Sequence, residues 1–90
     1  MPFEFPEAIM SPKAPRNVSG KDLIKVLSKY GYEVVRQTGS HIRLSISLND
    51  GIKSVTIPNH DPIKLGTLMA IINDVSEQLK INKEDIISKL

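Results

Sequence analysis

The segment from His41 to Leu48 alternates strictly between apolar and polar residues, and this period of two is the strongest constraint on the fold. Apolar residues at every second position are typical of a β-strand with one buried face and one face in water. Turn-forming residues flank the segment, with Thr38-Gly-Ser before it and Asn49-Asp-Gly after it. The sequence therefore predicts a central strand between two antiparallel neighbours.

Both neighbouring strands are shorter. Tyr32 to Thr38 also follows a period of two, although the adjacent Val34 and Val35 leave its inward face ambiguous. Ile52 to Ile57 is predicted as the third strand, because its apolar and polar residues alternate and Pro58 then ends it. Together these segments predict an antiparallel three-stranded sheet.

Helical patterns precede and follow the strands. Ser19 is predicted to cap a first helix that ends at Gly31, and Thr67 is predicted to cap a second one with an apolar stripe. A short third helix is predicted to begin near Asn82. Two amphipathic helices on one side of the sheet give an α+β fold, a two-layer α/β sandwich of order α-β-β-β-α with an extra short C-terminal helix.

Residues 1–16 contain four of the six prolines and no sustained periodicity, so they are predicted to form a flexible N-terminal tail. The chain has no cysteine, no apolar run long enough for a membrane helix and no secretory signal pattern. A protein without membrane association, located in the cytoplasm, is therefore expected.

Positive charge is concentrated in the middle of the chain. The net charge is only +2, but residues 17–60 hold six Lys or Arg against three acids. A polyanion would gain most by docking on this segment, which favours nucleic acid as a partner. Ordinary solvated lysines are the alternative explanation of the same pattern.

His41 stands at the start of the central strand, on the face predicted to be in water, and Arg43 follows on the same face. An imidazole can remove the proton of a ribose 2′-hydroxyl or protonate a leaving oxygen, while a guanidinium holds the phosphate. Because RNA carries its own nucleophile, this pair would suffice for slow cleavage without a metal ion. A surface histidine that only caps a turn is the alternative.

The remaining polar chemistry is sparse. His60 lies in a proline-flanked loop, where it either contacts phosphate or hydrogen-bonds to Asp61. Lys64 and the expected helix start at Gly66 and Thr67 could bind phosphate through a cation and free amides. Since no histidine has a cluster of acids or a helical partner histidine, neither a metal site nor a cofactor is predicted.

Four segments, in this order, resemble the HicA or YcfA-like family. They are Ser19-Gly-Lys-Asp-Leu-Ile-Lys-Val-Leu, Gly31-Tyr-Glu-Val-Val-Arg-Gln-Thr-Gly-Ser-His, Ile57-Pro-Asn-His and Gly66-Thr-Leu. The resemblance covers residues 17 to about 80. It implies a fold like the double-stranded RNA-binding domain, with residues 17–90 as a single HicA-like domain.

The resemblance also implies the toxin component of a type II toxin–antitoxin system, an mRNA interferase neutralised by a HicB-like antitoxin protein. His41, in the Gly-Ser-His motif, would be the catalytic residue of this endoribonuclease. The RNA contacts predicted around it are Arg36, Ser40, Arg43, Lys53, His60 and Lys64. A non-catalytic RNA-binding module of the same fold and a protein-interaction adaptor are the two alternatives.

Overall fold

The computed structural model of the protein describes residues 17–90. Its elements are α1 (Gly20–Lys29), β1 (Glu33–Thr38), β2 (His41–Leu48), β3 (Gly51–Pro58), α2 (Leu65–Leu79) and α3 (Lys83–Ile87). The three strands form one antiparallel sheet in the order β1-β2-β3. The predicted α+β class and α-β-β-β-α order with an extra short helix are confirmed. The tail predicted over residues 1–16 lies outside the described residues.

The first helix begins and ends where the sequence predicted. The Asp22 backbone N–H donates to Ser19 Oγ at 3.0 Å, and the Ser19 N–H donates to Asp22 Oδ2 at 3.2 Å. This reciprocal pair is a capping box, which satisfies amide groups that the first turn leaves free. At the other end, Gly31 has φ +110°, a conformation that a side chain would disfavour.

The hydrophobic core lies between one face of the sheet and the two longer helices, both of which contact β3. Its main members are Leu23, Val26 and Leu27 of α1, Ile42, Leu44 and Ile46 of β2, Val55 and Ile57 of β3, and Leu68, Ile71, Ile72 and Val75 of α2. Burying each of these side chains contributes roughly 1.5–3 kcal/mol. This core therefore supplies most of the driving force for folding, and no other element of residues 17–90 covers the opposite face of the sheet.

The start of α2 differs from the prediction. Thr67 is not the N-cap, because the helix begins at Leu65 and Lys64 occupies the capping position without a side-chain hydrogen bond. The buried Ile63 explains the shift, since its N–H donates to Val18 O at 2.8 Å and fixes the chain directly before the helix. The N–H of Leu68 then donates to Lys64 O at 2.9 Å and closes the first turn. The strand ends differ from the predicted bounds by one residue at most.

Tyr32 joins the sheet to α2 from inside the core. It is 2 % exposed, and its hydroxyl donates to Gln78 Oε1 at 2.6 Å. The Gln78 amide in turn donates to the backbone oxygen of Ser54 at 2.9 Å. Burial, with a smaller contribution from the charge of Asp74, raises the pKa of Tyr32 to about 12. The phenol therefore stays a neutral donor over the physiological pH range.

We expect Tyr32→Phe to lower the free energy of unfolding by about 1–2 kcal/mol at neutral pH, because it leaves the Gln78 oxygen without its donor. The pKa of Tyr32 is raised on folding, so its contribution is complete below pH 10.0 and is lost as the pH rises toward about 12. Urea denaturation of both proteins across this range should show a smaller alkaline loss in the variant. Identical alkaline losses would contradict the assigned role of the phenol.

Candidate nucleic-acid interface

The face of the sheet that the helices leave uncovered carries the polar residues of β2. His41 and Arg43 are both exposed and alternate with the buried Ile42, so their side chains point away from the core. His41 pairs with Pro58 of β3, and Arg43 pairs with Thr56 of the same strand. The predicted exposure of His41 and Arg43 on one face of the strand is therefore observed.

A β-bulge in β1 brings Arg36 to the same face. Val34 pairs with Leu44 and Arg36 pairs with Arg43, which leaves Val35 as an extra residue between the two pairs. In a regular strand Arg36 would share the side of Val34 and point toward the helical layer. With the extra residue it lies directly across from Arg43. The bulge also resolves the ambiguity that the adjacent valines created in the sequence.

These residues surround a shallow concavity of about 230 Å³, called here the cationic concavity, which is lined by Arg36, Thr38, His41, Arg43 and Thr56. Among the described residues, the lining contains two guanidinium groups and an imidazole but no carboxylate. Like charges directly opposite each other on neighbouring strands repel, and a bound anion relieves that repulsion. The cationic concavity is therefore suited to a phosphate group, with two threonine hydroxyls available as additional donors.

A backbone junction holds the His60 loop beside this concavity. The Asn59 N–H donates to Ser40 O at 2.7 Å, in the turn that leads into His41. On the other side, the Gly20 N–H of α1 donates to His60 O at 2.9 Å. A Cβ atom on Gly20 would lie 2.5 Å from the Pro58 oxygen, so only glycine allows this close approach of helix and loop. The exposed His60 thus belongs to the same end of the sheet as His41.

The other predicted contacts fall in different places. Ser40 is exposed in the turn before β2, and Lys64 is exposed where α2 begins, directly after the segment that is bonded to Val18. Lys53 pairs with the buried Ile46 and therefore belongs to the helical side of the sheet, where its ammonium lies 3.7 Å from Asp50 Oδ2. The structure brings Arg36, His41 and Arg43 together and does not bring Lys53 to them.

Two residues of the lining, Thr38 and Thr56, were not singled out in the sequence. A signal for Thr56 was available, because a two-residue hairpin turn between β2 and β3 fixes the register and sets Thr56 opposite Arg43. Thr38 pairs with His41 across the Gly39 turn for the same reason. Reading both hairpin registers from the sequence would therefore have found them.

A protein-family model described as "HicA toxin of bacterial toxin-antitoxin" matches residues 20–79, which is two thirds of the chain. The chain belongs to the HicA toxin family. No curated protein and no solved structure matches it.

The matched part of this HicA-family chain runs from the first residue of α1 to the last residue of α2. It therefore contains the whole sheet, the cationic concavity and the His60 loop, whereas α3 lies beyond it. Membership of a toxin–antitoxin family implies an antitoxin as a partner. None of the helices between residues 17 and 90 combines the length and apolar character needed to cross a membrane.

We expect Gly20→Ala to push the loop that carries His60 away from α1. The new methyl group would overlap the Pro58 oxygen and lie 2.9 Å from Asn59 Cα, and overpacking of this kind costs roughly 1–3 kcal/mol. Thermal unfolding should show the loss, and amide hydrogen exchange should show faster exchange at Asn59, whose N–H bonds to Ser40.

Gly66→Ala is the matched control, because no atom of the described residues lies within 4 Å of its added Cβ and the residue is helical. It should leave stability unchanged or raise it by up to about 1 kcal/mol. If both variants lost the same stability, the close approach at Gly20 would not be the cause.

Proposed function

We propose that this HicA-family chain is the toxin component of a type II toxin–antitoxin system and that it cleaves mRNA as a metal-independent endoribonuclease. The observation that supports this most is the exposed imidazole of His41 in a concavity that residues 17–90 line with two guanidinium groups and no carboxylate. Such a lining binds a phosphodiester and offers one proton-transferring group beside it.

In the proposed reaction, the ribose 2′-oxygen attacks the adjacent phosphorus and the bond from phosphorus to the 5′-oxygen breaks. The products are a 2′,3′-cyclic phosphate and a 5′-hydroxyl, so the 2′-hydroxyl loses a proton and the leaving oxygen gains one. His41 serves one of these two transfers as general base or general acid. His60, on the neighbouring loop, is the candidate for the other.

Arg36 and Arg43 hold the phosphate and stabilise the negative charge that develops on its non-bridging oxygens. Both residues lie on paired strands of the sheet rather than on a loop, so their backbones are held opposite each other. Ser40 and Lys64 supply further contacts to the RNA backbone at the same end of the fold. No cofactor is needed, because the substrate brings the nucleophile.

The partner that we propose for this toxin is a HicB-like antitoxin, which would neutralise it in the cytoplasm, where mRNA is present. Residues 17–90 would act together as one HicA domain.

The decisive experiment compares the native chain with His41→Ala on a purified RNA in the presence of a chelator. We expect the cleavage rate to fall at least about 100-fold, the usual contribution of a general acid or base, while RNA binding is largely retained. Lys83→Gln is the control, since Lys83 is exposed on α3, outside the part of the chain that matches the family.

Each alternative has its own outcome. Equal cleavage by His41→Ala would contradict the catalytic assignment. RNA that binds with a steep salt dependence yet stays intact would identify a non-catalytic binding module. If the native chain had no affinity for RNA, the protein-interaction adaptor would be the remaining hypothesis.

A further inference from the structure

The exposed face of α1 carries a row of cations, called here the lysine stripe, that consists of Lys21, Lys25 and Lys29. The four-residue spacing aligns them along one side of the helix, opposite the buried Leu23 and Val26. The stripe extends about 12 Å along the helix axis, from the rise of about 1.5 Å per residue.

The lysine stripe has no ion-pair partner within the described part of the chain. The salt bridges found between residues 17 and 90 involve only Lys53 and Lys89. The single acid of α1, Asp22, is engaged by the backbone N–H of Ser19 in the capping box. The three ammonium groups therefore present positive charge that the rest of the described fold does not neutralise.

The stripe begins at the end of the molecule that holds the cationic concavity. Lys21 directly follows Gly20, whose N–H donates to the oxygen of His60. The same loop is bonded through Asn59 to Ser40, next to His41. The stripe therefore starts at the end of the fold that holds the concavity, but on the outer side of the helical layer, so a strand bound in the concavity would reach Lys21 by passing around the His60 loop.

We infer that the lysine stripe is a second binding surface for the RNA whose scissile phosphodiester occupies the cationic concavity. The inference rests on the proposed function and extends it from a single phosphodiester to a longer strand. Lysine ammonium groups bind phosphate as point charges and read no bases, so the stripe adds affinity without sequence preference. The favoured substrate is accordingly an RNA long enough to reach from the concavity onto α1.

The test is the double variant Lys25→Gln with Lys29→Gln, which removes the part of the stripe farthest from the concavity. Glutamine has nearly the helix propensity of lysine, so α1 should persist, and circular dichroism checks that it does. Binding is measured by fluorescence anisotropy with 2′-O-methyl RNAs of roughly 4 and 16 nucleotides, lengths on either side of a footprint of several phosphates. These RNAs cannot be cleaved, because the 2′-oxygen is blocked.

We expect the affinity for the longer RNA to fall roughly tenfold, and the salt slope to fall by about 1.4 for two lost phosphate contacts on a single strand. The affinity for the short RNA should change less than about twofold, since two distant surface charges are screened at physiological salt. Lys80→Asn with Lys83→Gln is the control, because it removes the same charge from exposed positions beyond α2 and should lower neither the affinity nor the slope to this extent.

Unchanged binding of the longer RNA would overturn the inference, and so would an equal loss in the control or for the short RNA. In each of these cases the proposed nuclease would survive, since the native chain would still bind RNA and its cleavage is measured separately with His41→Ala. If the native chain bound no RNA of either length, the proposed function would fail together with the inference.

Discussion

The register of β2 is the constraint on which the rest of the structure depends. Its residues alternate between the core and the open face, so a shift by one position would bury His41 and expose Ile42. Both hairpins hold this register, with β1 on one side and β3 on the other. The same alternation that buries the apolar side chains of β2 therefore presents His41 and Arg43 to solvent, and the core and the candidate site have one cause.

The pairing of β1 with β2 places a second arginine at the site, which the alternation of β2 alone does not explain. The extra residue Val35 changes the side on which the following residues of β1 lie, and so aligns Arg36 with Arg43. Bulges disrupt the ladder locally, and β1 tolerates this because it is an edge strand whose residues are all exposed. At the start of α1, Gly20 lets the His60 loop pack against the helix without a side chain between them. Site geometry here comes from backbone irregularities that the regular elements accommodate.

Local patterns predicted much of this fold. The capping box at Ser19 and the strict alternation of β2 depend only on nearby residues, and both could be read directly from the sequence. The start of α2 could not be read in this way, because Lys64 occupies the N-cap position without a side-chain hydrogen bond. The preceding residue, Ile63, is held by a hydrogen bond to Val18, which is distant in sequence. The position of Arg36 likewise depends on pairing with another strand. For Lys53 the local pattern was sufficient, because the alternation of β3 already placed its side chain on the side of Val55, away from the open face.

The central claim is that RNA contacts the uncovered face of the sheet at the end that holds His41. Its most direct test is an NMR titration of the isotope-labelled native chain with a 2′-O-methyl RNA, which binds without being cleaved. The account predicts that the largest amide shift changes occur at the residues that line the cationic concavity, with much smaller changes at Lys53 on the helical side. Changes confined to α2 and α3, with none at His41 or Arg43, would contradict it.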